Sequence, residues 1–193
     1  HRPAKRNLTL VSFGGGIMQD VVGFAASTLY RGIRWIYAPT TLLAQADSCI
    51  GGKPSLNLLG FKNLLGTFYP PPQIHIQPPF LATQADEHYL SGVGEVIKLH
   101  LMGGRRLYEH VRKTLPDLLS RQPEALVAAI QASLRVKLHF LSGDEFDMGR
   151  RNLLNYGHDF GHALESTSGF TIPHGQAVLV GMLAANLVAR NRS

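Results

Sequence analysis

The hydrophobic pattern changes period partway along the chain. Residues 8 to 13 (LTLVSF) form a short apolar run that ends on Gly14, Gly15 and Gly16, and Ile17 to Tyr30 then repeats apolar side chains at three and four spacing. A buried strand, a glycine turn and a helix are predicted. RWIYAP predicts a second strand, Thr40 to Ser48 a short helix, GGKPSLNLLGFKN a glycine-punctuated loop and IHIQP a third short strand. From Phe80 onward strand signals stop: a helix is expected to begin near Ala85, and EALVAAIQASLRVKLHFL keeps helical spacing. The fold class is therefore α/β followed by all-α. Residues 1–79 read as a partial, Rossmann-like nucleotide-binding portion whose earlier strands lie outside this chain, and residues 80–193 as a helical portion. A cleft is expected at the junction, where glycine turns and helix N-termini offer backbone N–H groups to phosphate.

Composition narrows the class of ligand. The 193 residues suffice for a substantial core, and 19 Lys plus Arg against 13 Asp plus Glu leave a formal charge of +6. The positive residues are scattered beside glycines and asparagines (RGIR, GGRR, GRRN) and form no basic stripe with interleaved aromatics, so small anions are favoured and nucleic acid is not expected. Cys49 is the only cysteine, which excludes a disulfide framework or a thiolate metal site and agrees with a reducing compartment. No apolar run approaches the ~20 residues of a membrane span, and HRPAKRN has no signal-like apolar stretch. The expected location is the cytoplasm, away from membranes.

Candidate chemistry gathers near the far end. GHDFGHALES followed by IPHG sets His158 and His162 one helical turn apart, with His174 twelve residues further on. Three neutral imidazoles, or two plus an upstream carboxylate, form a ligand set that Zn²⁺ takes when one position stays open for substrate. A lone histidine on such a helix would more simply pack or cap. Glu95, in SGVGEVIKLH, supplies a carboxylate in an otherwise apolar stretch, with Lys98 one turn along the same face. Gly92 and Gly94 lower helix propensity there and predict close approach by another element. RRNLLNYGH places Arg151, Asn155 and His158 at four- and three-residue steps, on one helix face with His162. In the first half, Lys53 and the pair Lys62 and Asn63 share one loop, where an ammonium and an amide could converge on a phosphate. GGGIMQD reads two ways: Gly15 and Gly16 admit a pyrophosphate while Asp20 opens the next helix, or the segment is a tight turn with a helix-start acid.

These segments resemble the 3-dehydroquinate synthases, within the sugar phosphate cyclases. GGGIMQDVVGFAASTLYRG, PTTLLAQADSCIGGK, KNLLGTFYPP, GEVIK, LLNYGHDFGHALE and HGQAV fall in family order from Gly14 to Met182. The resemblance implies a zinc- (or Co²⁺-) and NAD-dependent carbon–oxygen lyase that makes 3-dehydroquinate and phosphate from 3-deoxy-arabino-heptulosonate 7-phosphate. It implies metal ligands Glu95, His158 and His174, and NAD on Gly15, Gly16, Asp20, Thr40, Thr41, Lys62 and the stretch around Thr83. Substrate would meet Asp47, Lys53, Asn63, Lys137, Arg151 and Asn155, with Arg31 reaching across a homodimer interface. His162, Asp147 and Lys98 would serve catalysis, Lys98 also facing substrate. Lys137 with Arg151 suits the carboxylate of the heptulosonate. A sister cyclase acting on another heptulose or hexose phosphate and a metal-dependent polyol dehydrogenase are the alternatives. Where the family shows GGKTGVN this chain has GGKPSLN, and Gln19, Gln176 and Asp147 also depart from the usual residues.

Overall fold

The computed structural model describes residues 7–59 and 61–192, and among these the chain forms five strands and seven α-helices. The basic opening 1–6, part of the stretch read above for a signal, lies outside the described residues.

Strand β1 (Thr9–Gly14) feeds through the glycine turn into α1 (Gly16–Thr28), and the chain returns as β2 (Arg34–Pro39), parallel to β1 from Thr9↔Arg34 to Gly14↔Pro39. Leu8 and Leu10 pack with Ala26, Ile33, Trp35 and Tyr37 in one cluster, as the two-residue period of a strand requires. The opposite face of β1 is open in this chain, with Val11 53% and Phe13 60% exposed. Asp20 also departs from expectation: it sits a full turn inside α1, whose N-cap is Gly15, and accepts a hydrogen bond from the Ser55 N–H at 3.2 Å.

After β2, the short helix α2 (Leu42–Ala46) lies at the junction. Its Ala44 belongs to the α/β core, while Leu42 and Ala46 pack into the helical core with Tyr89, Val93, Val96 and Ile130. The glycine-punctuated loop is in fact an antiparallel hairpin, β3 (Ser55–Leu58) and β4 (Phe61–Gly66). Every residue of β4 is exposed, so there was no buried face to mark the strand in the hydrophobic pattern. The third sheet strand, β5 (Gln73–Ile74), is only two residues long, giving the order β1-β2-β5.

The remaining helices are α3 (Asp86–Met102), α4 (Arg105–Leu119), α5 (Pro123–Leu141), α6 (His158–Thr167) and α7 (His174–Arg192). Helix α3 is the central element, packed by α2, α4, α5 and α7. The helix face predicted to carry Arg151, Asn155, His158 and His162 does not form: Arg150–Asn155 is a 3-10 turn, Tyr156 is extended, and Gly157 at φ 80° redirects the chain before α6 begins. None of the described helices is long and apolar enough to cross a membrane.

Candidate functional site

Close backbone approach builds the centre. An added Cβ on Gly94 of α3 would lie 2.4 Å from the Gly175 carbonyl oxygen, and one on Gly175 would lie 1.8 Å from that of Ser91. Ser91 Oγ accepts the Gly175 N–H at 2.9 Å, so the first turn of α7 is pinned on α3 with His174 beside Glu95. Gly92 makes room on another side, where its missing Cβ would lie 2.7 Å from Leu42 of α2. The glycines of SGVGE therefore report close approach by two elements, as their placement predicted. Gly161 of α6 and Gly157 just before it lie against Val178 and Gly181 of α7, which brings His158 and His162 to the same centre.

The ring-nitrogen ligand atoms of His158, His162 and His174 lie within 4.8 Å of one another. Glu95 Oε1 is 3.3 Å from His174 Nε2 and 3.9 Å from His158 Nε2. Glu95 is 1% exposed and Lys98 2%, with Lys98 Nζ 2.5 Å from Oε2, so the expected pair is buried. Oε2 is thus taken by the ammonium, while Oε1 is buried and turned to the imidazole nitrogens of His158 and His174. A buried carboxylate oxygen facing imidazole nitrogens is a donor set that fits a divalent cation.

Electrostatics sort these groups. Burial would raise the Glu95 carboxyl, but Lys98, His174 and His158 more than offset it and hold the carboxyl well below its usual range. Burial and then Lys98 push His158 down to about 4, leaving it neutral and available as a ligand. Burial and the neighbouring His174 also lower His162, whose side chain is the most exposed of the three at 48%. His174 goes the other way: burial opposes its charge, yet Glu95 and Glu165 together raise it.

A second group of cations lies nearby. Lys137 Nζ is 2.5 Å from Asp47 Oδ1 and donates to the Asp47 carbonyl at 2.8 Å, while Arg151 donates to the carbonyls of Gly51 (2.5 Å) and Glu145 (2.7 Å). Both cations flank Gly51, its Cβ position falling 3.6 Å from Lys137 Nζ and 3.7 Å from Arg151 Nη2. Lys53 and Asn63 line a cavity of about 320 Å³ at the hairpin, and Lys53 also pairs with Asp147. Lys62 reaches Glu165 Oε2 at 3.4 Å.

Of the expected cofactor residues, Gly15, Gly16, Thr40 and Thr41 lie together at the strand ends, while Asp20 is bonded to Ser55 and Lys62 to Glu165. The Thr40 N–H donates to the Gly14 carbonyl at 3.0 Å, Thr41 caps α2, and Gly15 sits under Thr41 with 2.9 Å between its Cβ position and Cγ2. Gly16 faces open space and no side chain caps the start of α1, an arrangement that fits a dinucleotide pyrophosphate. Two expected residues are not drawn in: Thr83 and Asn155 are exposed and, among the described residues, no hydrogen bond or ion pair holds their side chains. Arg31, expected to act from a partner, is exposed after the end of α1. The residue that sequence reasoning passed over is Glu165, buried among His174, His162 and Lys62. Its spacing of three from His162 within HALES was the available signal.

A family profile described as 3-dehydroquinate synthase N-terminal matches residues 1–91, and one described as 3-dehydroquinate synthase C-terminal matches residues 92–193. The chain is 42% identical over 182 residues to a 3-dehydroquinate synthase of Clostridium tetani, covering 94% of this chain and 49% of that one. It thus spans about half the length of the curated relatives it matches. Among solved structures, 2-deoxy-scyllo-inosose synthase complexed with carbaglucose-6-phosphate, NAD⁺ and Co²⁺ superposes with a TM-score of 0.86 at 33% identity, covering 93% of this chain and 49% of that one. ValA, a 2-epi-5-epi-valiolone synthase from Streptomyces hygroscopicus subsp. jinggangensis with NAD⁺ and Zn²⁺ bound, gives 0.81 at 28%, covering 93% and 50%.

Proposed function

Because the chain belongs to the 3-dehydroquinate synthase family, we propose that it forms the metal- and substrate-binding region, with part of the cofactor-binding sheet, of a cyclase. The substrate is 3-deoxy-arabino-heptulosonate 7-phosphate and the products are 3-dehydroquinate and phosphate. The observation that carries this reading is the meeting of Glu95, His158 and His174 around one point, with His162 open to the cleft beside them.

In this reading Glu95, His158 and His174 hold the metal and the Gly15, Gly16, Thr40 and Thr41 end of the sheet holds NAD, with Asp20, Lys62 and Thr83 around it. When bound, Zn²⁺ or Co²⁺ supplies Lewis acidity at a ring hydroxyl and NAD⁺ a reversible hydride acceptor. Lys53 and Asn63 bind the phosphate, and Lys53 exchanges its Asp147 partner for that dianion. Lys137 and Arg151 bind the carboxylate, with Asp47 orienting Lys137. Lys98 keeps Glu95 ionised. His162, kept largely neutral by burial and by His174, accepts and returns a proton on the open side, and Asp147 is the second base once Lys53 has released it. Asn155 and Arg31 would act on substrate from outside this inner set, Arg31 from the partner in a homodimer. The cytoplasm is the compartment that supplies such a substrate and cofactor.

A sister cyclase is the second reading, favoured by Pro54 and Ser55 in the wall of the phosphate cavity. Phosphate release is measured on the heptulosonate phosphate and on neutral heptulose and hexose phosphates. Release from the heptulosonate without net NADH supports the synthase, and net NADH from a polyol points to a dehydrogenase. Arg151→Lys and Arg151→Ala should lower turnover selectively on the carboxylate substrate; equal loss on every substrate would remove the carboxylate assignment.

A further inference from the structure

His174 stands between two carboxylates. Its Nε2 faces Glu95 Oε1 at 3.3 Å and its Nδ1 faces Glu165 Oε2, also at 3.3 Å. Glu165 is 6% exposed, lies one helical turn beyond His162 on α6, and is also met by Lys62, 3.4 Å away on the β3–β4 hairpin. Lys62 is itself steadied over the Phe170 ring at 5.0 Å. A neutral imidazole carries one proton. If that proton is on Nδ1 and donated to Glu165, the Nε2 lone pair must face the centre, the orientation a ligand needs.

We infer that Glu165 is the positioning residue of the metal centre: it fixes the tautomer and ring orientation of His174 from behind and ties that ligand to Lys62 of the hairpin. Nothing in the spacing of the three histidines requires a buried acid at this position, and a salt bridge to Lys62 alone would need no contact with His174. The carboxylate makes both contacts with the same oxygen. Hairpin and metal ligand thus share one anion. A hairpin held by Lys62 favours the ligating form of His174, and an occupied centre favours the hairpin in place.

The inference rests on the metal-centre reading above, and the two are separated by measuring Co²⁺ affinity by chelator competition, together with the visible Co²⁺ absorption, on the unaltered chain and on His174→Ala, Glu165→Gln and Glu165→Ala. His174→Ala should abolish tight binding; if it binds as the unaltered chain does, the metal-centre reading falls and the inference with it. Glu165→Ala should weaken affinity about 10–100-fold, as loss of an outer partner of a ligating histidine does. Its Co²⁺ bands should shift while thermal unfolding of the metal-free protein stays nearly unchanged. Glu165→Gln keeps an acceptor for Nδ1–H without the charge and should recover part of the loss. If Glu165→Ala does not fold, Glu165→Gln alone decides: several-fold weaker binding with a shifted spectrum supports the assignment. Unchanged affinity and spectrum in either variant, with His174→Ala still defective, would overturn it.

Discussion

At the scale of single residues, Glu95 and Lys98 show a partnership whose removal is costly from one side only. Both are buried, so deleting the ammonium leaves a buried carboxylate with only the neighbouring imidazoles to offset its charge. Lys98→Met should destabilise the metal-free protein by ~3–5 kcal/mol, whereas Glu95→Leu with Lys98→Met should recover most of that; urea unfolding of the three proteins checks it, and a double variant as unstable as the single would defeat it. Asp20 has the opposite character, a half-buried acid raised from 3.8 to about 6 by burial, against the lowering effect of the Ser55 N–H. Its folded value exceeds its unfolded one, so the folded state loses stability as pH rises from about 4 to about 6, and the loss is complete above that. At ~1.4 kcal/mol per pKa unit, discounted for partial exposure, Asp20→Asn should gain ~1 kcal/mol at pH 7.5 and nothing at pH 3.5 in ligand-free protein. Equal effects at both pH values would contradict this. The histidine cluster was legible in the sequence because two of its members lie one helical turn apart and the third follows within twelve residues. Glu165 was not singled out, because its partners His174 and Lys62 lie nine and 103 positions away on other elements, off the helical spacing of the histidine pair.

At the scale of elements, the site depends on how closely three helices approach. Gly175 has no room for any side chain, its Cβ position lying 1.8 Å from a backbone oxygen that cannot swing aside as a side chain would. Gly175→Ala should therefore push the start of α7 off α3, costing ~1–3 kcal/mol as overpacking does. Because His174 is the adjacent residue, the same change should weaken Co²⁺ binding, whereas Gly104→Ala, where the Cβ would meet open space, should disturb the fold only through its φ of 99° and leave the metal site intact. Thermal melts with chelator competition separate the two; equal metal affinity in Gly175→Ala and the unaltered chain would show that α7 tolerates the shift. Helix α5 followed from apolar spacing because it buries a stripe against its neighbours, Leu126, Ala129, Ile130, Ser133, Val136 and Lys137. The break before α6 could not be read the same way: the periodicity of RRNLLNYGH runs through Gly157, and only its left-handed backbone turns the chain. The hairpin escaped for a related reason, since strands without a buried face leave no alternation to detect.

At the scale of the whole molecule, the exposed hairpin is the part of the α/β portion that reaches over the helical site, and charges do much of the holding. Lys53 pairs with Asp147 and Lys62 with Glu165, both lysine side chains being about two-fifths exposed at 39% and 41%. Backbone bonds anchor only its base, from Thr67 N–H to the Pro54 carbonyl at 3.1 Å and from Tyr69 N–H to that of Gly52 at 2.9 Å. Half-exposed ion pairs contribute at most ~1 kcal/mol each, which corresponds to about a fivefold change in the open population. Amide hydrogen exchange across β4 should therefore quicken about fivefold in Lys53→Met or Lys62→Met and up to about thirtyfold in the double variant, with α5 amides unchanged as the internal reference. Raising the salt from 0.1 to 1 M shortens the screening length from about 10 to 3 Å, so it should reproduce much of this in the unaltered chain and little in the double variant. If β4 exchange ignores both the substitutions and the salt, the hairpin is held by its backbone alone. The two lysines would then be free to serve ligands without first giving up the carboxylates across the cleft.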